Sequence, residues 1–316
     1  MAETSMTNKF TKTESNGHGK KEKEEALISE EEKLSLKVQA TISFQKHFQA
    51  KHNDIVIASL PKSGTTWLKA LAFATVKRHR FIPSSQNHPL LNSNSHTIVP
   101  YFEFNIYGGE DNVIPDLSTI PEPRIFGTHI PFPSLSHSIH NSNCKIMYIC
   151  RNPFDAFISH WHFFKTILPS SVTFSLEEAF EWYCEGTHFF GPFWSNILGY
   201  WEASKDTPNK ILFLKYEELK ANTNFELKKI AQFLDCPFSE EEESGGVIDS
   251  IIELCSFKKM KELEINKSGK AVQFVENKHL FRKGEIGDWV NYFSPSMTEK
   301  LSKVIEEKFG GSDFSF

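Results

Sequence analysis

The chain has 316 residues, of which 35 are basic and 40 acidic, and its formal net charge is −5. This balance argues against a protein that binds nucleic acid through bulk charge, although local basic pockets remain possible. Five cysteines without a Cys-x-x-Cys pair favour neither a disulfide framework nor a zinc site, and they indicate a reducing compartment.

The first segment, residues 1–33, is rich in Lys, Glu, Ser, Thr and Asn and contains no apolar run. Such a segment cannot bury enough surface to fold alone, so we expect a disordered tail before one domain at 34–316. A secretory signal would need an apolar core, and acids at Glu22, Glu24 and Glu25 are unlike a transit peptide. Because no stretch approaches the roughly 20 apolar residues that span a bilayer, we expect a cytoplasmic protein without membrane contact.

A predicted helix at 34–48 leads into the first strand, at 54–60, which is apolar and β-branched on successive residues. That pattern is typical of a strand buried on both faces of a parallel sheet. A predicted helix follows at 65–80. The turn between strand and helix carries Lys62 and Gly64, so free N–H groups and a positive charge would converge there. The turn is therefore a predicted anion site, but it is not a Walker A loop, because its lysine precedes the glycine.

The segment 81–123 is rich in Pro, Asn and Ser and shows no regular pattern. A loop of this length inside a compact domain is usually functional. Four aromatic side chains in or near it suggest a flat or apolar ligand: Phe102, Phe104, Tyr107 and Phe132.

Three further strands are predicted at 124–129, 145–150 and 210–214, and helices are predicted between and after them. The alternation indicates an α/β fold in which a central parallel sheet is covered by helices on both faces. His129, Arg151 and Tyr216 lie at or just past the ends of these strands. With Lys62, they would meet at the carboxyl edge of the sheet, where ligands bind in open α/β folds.

The segment 61–67 resembles the phosphosulfate loop of the cytosolic sulfotransferases, enzymes that use 3′-phosphoadenosine 5′-phosphosulfate (PAPS). The segments 67–73 and 191–194 resemble the plant branch of that family in particular. The resemblance extends from about residue 45 to the C-terminus, and it implies a P-loop-like strand, loop and helix at the phosphosulfate site.

By this resemblance, the loop from Lys62 to Trp67 holds the 5′-phosphosulfate, and the Trp67 ring stacks on adenine. His129 is the catalytic base. The implied cofactor-binding residues are Lys62, Ser63, Gly64, Thr65, Thr66, Trp67, Arg151, Ser159, Tyr216, Cys255, Ser256, Phe257, Arg282, Lys283 and Gly284. The family commonly has threonine where this chain has Cys255, so one hydroxyl contact to the nucleotide is expected to be missing.

The implied reaction moves a sulfuryl group from PAPS to a hydroxyl of a small acceptor and leaves adenosine 3′,5′-bisphosphate (PAP). Acceptors used within plant relatives include flavonoids, steroid-like hormones, hydroxyjasmonates and desulfo-glucosinolates, all of plant secondary metabolism. Lys62 would neutralise charge on the bridging oxygen, and His129, with an ordinary pKa near neutrality, would take the acceptor's proton. No metal is expected, since the N–H groups and the lysine can meet the charge.

Two other functions stay open at this point. A P-loop-type kinase is favoured by the strand, loop and helix but opposed by the position of Lys62 and by the lack of a recognisable acidic magnesium site. A non-catalytic nucleotide-binding protein would be favoured only if His129 or Lys62 were absent.

The dimer segment of the animal enzymes corresponds here to Val290, Ser294, Pro295 and Glu299. Only the acidic residue is retained. A dimer of that kind is therefore not expected, and the sequence predicts a monomer.

Overall fold

The computed structural model describes residues 30–109, 114–168, 172–272 and 275–316, with only the backbone for 30–37. The predicted tail lies outside the described residues, apart from its last four, which begin helix α1 (Glu30–His47). None of the helices in these ranges is long and apolar enough to cross a membrane.

A four-stranded parallel sheet forms the centre of the fold, in the order β2-β1-β3-β4. Its strands are β1 (Ile55–Ser59), β2 (Ile125–Thr128), β3 (Lys145–Cys150) and β4 (Ile211–Lys215). Strand β1 pairs with β2 and β3, and β4 pairs with β3, all in parallel. The four strands predicted from apolar runs are confirmed, and every residue of β1 is buried, as a central strand requires.

Fourteen more helical segments named α2 to α15 follow along the described part of the chain. They are α2 (Thr65–Val76), α3 (Pro89–Asn92), α4 (Ser95–Ile98), α5 (His137–Asn141), α6 (Pro153–Ile167), α7 (Leu176–Cys184), α8 (Phe193–Asp206), α9 (Tyr216–Ala221), α10 (Thr223–Phe233), α11 (Glu240–Ser244), α12 (Val247–Leu254), α13 (Phe257–Glu262), α14 (Glu264–Lys267) and α15 (Pro295–Phe309).

Helices cover both faces of the sheet because successive strand residues point to opposite sides. Val56 and Ala58 pack into a core cluster with residues of α1, α6, α8 and α15. Ile55 and Ile57 pack into a second cluster with residues of α2, α10 and α12. The predicted α/β architecture, a parallel sheet between two helical layers, is therefore confirmed.

Some element boundaries differ from the sequence prediction. Helix α2 ends at Val76 rather than near residue 80. Just past its end, the N–H of Lys77 donates to the carbonyls of Phe73 and Thr75 and closes the last turn. One of the helices predicted after the last strand, at 248–257, ends earlier, at Leu254 in α12, and the Ser256 side chain accepts from the Lys259 N–H and starts α13.

The segment 81–123 was predicted to lack regular structure, and that prediction was wrong for its described part. Besides α3 and α4, it holds a short π-helix, Phe102–Ile106. The side chains of His88 and Asn94 accept hydrogen bonds at the starts of α3 and α4, which stabilises helices of only one turn. An antiparallel pair, β5 (Lys270–Val272) and β6 (Val275–Glu276), was also not predicted.

Candidate active site

A cavity of about 250 Å³ opens at the carboxyl edge of the sheet. Lys62 follows β1, His129 follows β2, Arg151 follows β3 and Tyr216 follows β4, and all four side chains line the cavity. The expectation that they meet at one edge is therefore confirmed.

The structure also separates the predicted site residues into two groups. Those that line the cavity are Lys62, Gly64, Thr65, Thr66, Trp67, His129, Arg151, Ser159, Tyr216, Phe257, Arg282 and Gly284. Those that do not are Ser63, Cys255, Ser256 and Lys283. Ser63 and Cys255 are buried in the protein, and the Ser256 hydroxyl is used as a helix cap. The Lys283 ammonium donates to Asp288 at 2.6 Å, so it is already paired.

The loop between β1 and α2 adopts the conformation of an anion cradle. Lys62 and Gly64 both have positive φ, 65° and 107°. A Cβ at position 64 would lie 2.8 Å from the Tyr216 ring, so this position requires glycine for space as well as for conformation. In the part of the chain that the structure describes, no side chain caps α2, and the N–H groups before Leu68 have no carbonyl partner within the helix. They are free to donate to an anion in the cavity.

Positive charge is concentrated beside this loop. Burial, and then the charges of Arg151 and Arg282, lower the pKa of Lys62 to about 7. The Nε atoms of both arginines are buried and have no hydrogen-bond partner among the described residues. Buried guanidinium N–H groups without an acceptor are costly, and phosphate oxygens are the acceptors that they fit best.

Part of the charge is compensated within the protein. Although burial opposes it, hydrogen bonds from Lys283 and Arg282 lower the pKa of Asp288 to about 2. The Tyr216 hydroxyl donates to the Gly284 carbonyl at 3.1 Å. These contacts tie the segment 282–284 to the sheet edge and hold Arg282 at the cavity.

The His129 ring is held by a hydrogen bond that fixes its tautomer. Its Nδ1 lies 2.7 Å from the carbonyl oxygen of Ser59. A carbonyl only accepts, so Nδ1 carries the proton and Nε2 keeps its lone pair. The ordinary pKa of a histidine lies near neutrality, but the surroundings of His129 change it. Burial, together with the charges of Lys69 and Lys62 and against the hydrogen bond to Ser59, lowers the pKa of His129 to about 3.

Sequence reasoning missed a set of buried polar residues behind His129. The Glu103 carboxylate accepts from the His129 N–H at 2.7 Å and from the Thr128 hydroxyl at 3.1 Å. Burial raises the pKa of Glu103 to about 7. Glu103 lies in the predicted functional segment 81–123, but nothing in its local sequence distinguishes it from neighbouring polar residues.

Lys69 was missed as well, although it carried a usable signal. It lies on α2 beside Leu68, Ala70 and Leu71 and is fully buried, unlike an ordinary surface lysine. Its Nζ lies 3.0 Å from the centre of the Tyr101 ring. A Cβ at position 127 would lie 2.3 Å from that Nζ, so Gly127 leaves the room that Lys69 occupies.

The other side of the cavity is aromatic. Its lining includes Phe104, Phe163, Phe164, Phe189 and Phe190. The His129 ring centre lies 5.4 Å from that of Phe190 and 6.1 Å from that of Phe104. His129 therefore borders a surface suited to an apolar molecule.

Only one of the four aromatic residues suggested by the sequence lines this surface. Phe104 does, whereas Phe102 and Tyr107 lie in the core and Phe132 packs against it. The π-helix accounts for the difference, because it turns Phe102 towards α1, where its ring stacks on Phe44 at 4.4 Å.

Comparison with known proteins gives a consistent result. Residues 52–313 match the family model described as the sulfotransferase domain. Cytosolic sulfotransferase 15 of Arabidopsis thaliana is 53% identical over 282 residues, which cover 88% of this chain and 78% of that protein. Cytosolic sulfotransferase 14 of the same plant is 52% identical over 284 residues, covering 88% and 81%.

Solved structures agree with these relatives. An Arabidopsis thaliana sulphotransferase matches with a TM-score of 0.69 and 43% identity, over 89% of this chain and 85% of that one. Mouse sulfotransferase SULT7A1, crystallised in complex with PAP, matches with a TM-score of 0.66 and 27% identity, over 87% and 91%.

Proposed function

The chain belongs to the sulfotransferase family, and from that premise we propose that it moves the sulfuryl group of PAPS to a hydroxyl of a small acceptor, with His129 as base. The arrangement of Lys62, His129 and Arg151 at three adjacent strand ends carries this proposal. The kinase alternative is not favoured, because Lys62 precedes Gly64 and so departs from the Walker A order.

The residues present fit the nucleotide. The cradle N–H groups and Lys62 would hold the 5′ end, and the two partnerless guanidinium Nε atoms, of Arg151 and Arg282, would take the 3′-phosphate. Ser159 lines the same cavity and adds a hydroxyl. Ser63, Cys255, Ser256 and Lys283 would act through the backbone or by support, since their side chains do not line the cavity.

PAPS supplies an activated sulfuryl group when it is bound. The Nε2 lone pair of His129 would accept the proton of the acceptor hydroxyl, and the hydrogen bond from Nδ1 to Ser59 keeps that lone pair available. Lys62 would stabilise negative charge on the departing phosphate oxygen. An anionic group in the cradle would also offset the lysine charges that now lower the pKa of His129.

The aromatic lining supports a flat or apolar hydroxylated acceptor. The acceptor classes that we propose, from the plant relatives, are flavonoids, steroid-like hormones, hydroxyjasmonates and desulfo-glucosinolates. Within the described residues, no group of three or more His, Cys, Asp or Glu side chains is arranged to hold a metal. We further propose a cytoplasmic enzyme, like the relatives named above, with its catalytic unit at 34–316.

A monomer is supported by the segment that corresponds to the animal dimer contact. The Ser294 hydroxyl caps α15, and Glu299 pairs with Lys303 of the same helix at 2.6 Å. Their polar groups thus have partners within the chain. Light scattering at micromolar concentration should give the mass of one chain, and a stable dimer mass would contradict this.

The deciding experiment is calorimetry with PAP and 5′-AMP, with and without EDTA, beside a transfer assay with labelled PAPS and a panel of hydroxylated metabolites. Two charge-assisted contacts to the 3′-phosphate should make the affinity for PAP about 10² to 10⁴ times that for 5′-AMP. EDTA should leave both affinities unchanged. Arg151→Ala and Arg282→Ala should each weaken the binding of PAP more than the binding of 5′-AMP. The surface variant Lys228→Ala should weaken the binding of neither nucleotide. Equal affinity for both nucleotides, or tight ATP binding only with Mg²⁺, would overturn the proposal.

A further inference from the structure

Behind the cradle, a chain of hydrogen bonds joins a buried lysine to the hydroxyl of Thr66. Lys69 Nζ lies 3.1 Å from His96 Nδ1, and His96 Nε2 lies 2.9 Å from Thr66 Oγ1. Both Lys69 and His96 are buried, with 0% and 2% exposure, and His96 and Thr66 both line the cavity. One end of the chain is therefore in the core, and the other faces the cavity.

The imidazole ring has little freedom to move. The His96 N–H donates to the Asn94 side chain at 2.9 Å, at the start of α4. The neighbouring Ser95 hydroxyl donates to the carbonyl of Thr66 at 3.0 Å, which ties α4 to the cradle. The His96 ring also stacks on Tyr101, with ring centres 5.0 Å apart. These three contacts thus hold the His96 ring in position beside Thr66.

In its ammonium form, Lys69 determines which nitrogen of His96 carries the proton. An ammonium has three N–H bonds and no lone pair, so it can only donate, and here it faces the Tyr101 ring and His96 Nδ1. With Nδ1 as an acceptor, a neutral imidazole must hold its proton on Nε2. His96 is kept neutral, because burial, and then the charge of Lys69, lower its pKa well below the ordinary value.

The Nε2–H group then donates to Thr66 Oγ1, so the hydrogen of the Thr66 hydroxyl points away from His96. We propose that His96, held by Lys69, is a positioning residue that fixes the Thr66 hydroxyl as a donor to the anionic group in the cradle. This inference rests on the proposed function. A preoriented donor is worth more in a transfer reaction than one that must rotate into place.

Two variants of His96 test its contact with Lys69 and its contact with Thr66 separately. The amide of His96→Asn ends near the position of Nδ1 and keeps the contact with Lys69, whereas the longer amide of His96→Gln can still donate to Thr66. We expect His96→Asn to lower kcat by roughly tenfold, with the KM of the acceptor within about twofold. His96→Gln should retain most of the activity. His88→Asn, at a buried histidine that caps α3, is the matched control and should be close to wild type.

A double-mutant cycle tests whether His96 acts through Thr66. In a Thr66→Val background, His96→Asn should cause no further loss of kcat. An equal loss in both backgrounds, or equal activity of the Asn and Gln variants, would overturn the inference. If the wild-type protein transferred no sulfuryl group, the proposed function would fail instead.

The tautomer can be measured without any turnover. Two-dimensional ¹H–¹⁵N spectra of the wild-type imidazoles, with His96 identified by comparison with His96→Gln, should show a neutral ring protonated on Nε2. A ring protonated on Nδ1, or rapid exchange between the two tautomers, would overturn the inference even if His96→Asn did not fold.

Discussion

The two sides of the cavity are built in different ways. The side that we propose for the nucleotide, called the nucleotide side, is built mainly from residues at strand ends and in the turn at 61–64, so their positions follow from the sheet, and Arg282 joins them from a later loop. The side that we propose for the acceptor, called the acceptor side, is aromatic and comes from separate segments, with Phe104 from the π-helix, Phe163 from α6 and Phe190 from the loop before α8. The first side is positioned by backbone geometry, and the second by the packing of loops and a helix.

The two sides also differ in charge. The nucleotide side carries three basic residues, Lys62, Arg151 and Arg282. On the other side, near His129, the ionisable residues include a buried acid, Glu103. Changes on the nucleotide side should therefore affect every acceptor alike. Changes on the acceptor side should leave nucleotide affinity intact.

The largest effect is expected at His129, where the two sides meet. His129→Ala should lower kcat by roughly 10² to 10⁴, because it removes the group that we propose accepts the hydroxyl proton. Calorimetry with PAP should give nearly the wild-type affinity. Turnover within a few-fold of wild type would exclude His129 as the base.

A loss nearly as large is expected at Lys62. Lys62→Ala should lower kcat by about 10² or more with every acceptor tested, since it removes a preorganised charge from the nucleotide side. Lys303→Ala, on the surface of α15, is the control and should leave kcat unchanged. A near-normal rate for Lys62→Ala, or a loss confined to one acceptor, would contradict the division of the cavity.

A smaller and selective effect is expected on the acceptor side. Phe104→Ala should raise the KM of an aromatic acceptor by about tenfold, because a buried aromatic contact contributes about 1 kcal/mol or more. The affinity for PAP should stay within about twofold of wild type. Phe225→Ala, at an exposed phenylalanine, is the matched control. An equal loss of PAP affinity would show that the two sides are not independent.

The same difference explains what could be predicted from the sequence. Lys62, His129, Arg151 and Tyr216 each follow an apolar run, so locating four strands located four site residues. The lining by Phe190 and the contact between Glu103 and His129 depend on how distant loops pack, and no local pattern records that packing. The identity of the acceptor depends on the same loops.

The smallest effect that separates the two sides of the cavity is a change of protonation. The nucleotide side should take up a proton when it binds PAP, and the acceptor side should not. Burial, and then the charges of Arg151 and Arg282, lower the pKa of Lys62 to about 7 in the free protein, so Lys62 is mostly neutral at pH 8.5. The negative charge of PAP should raise this pKa again. Binding at pH 8.5 should therefore be accompanied by the uptake of up to about one proton.

The sign and the pH range follow from the same pKa. At pH 6 Lys62 is already protonated in the free protein, and the phosphates of PAP, with a second pKa near 6, would lose rather than gain protons in a cationic site. Proton uptake on binding PAP should thus be present at pH 8.5 and absent or reversed at pH 6. Calorimetry in two buffers of different ionisation enthalpy measures the number of protons taken up directly. Lys62→Met should abolish the uptake at pH 8.5, whereas Phe104→Ala should preserve it. Equal uptake by the wild type and Lys62→Met would assign the proton to another group and remove Lys62 from the charged side of the cavity.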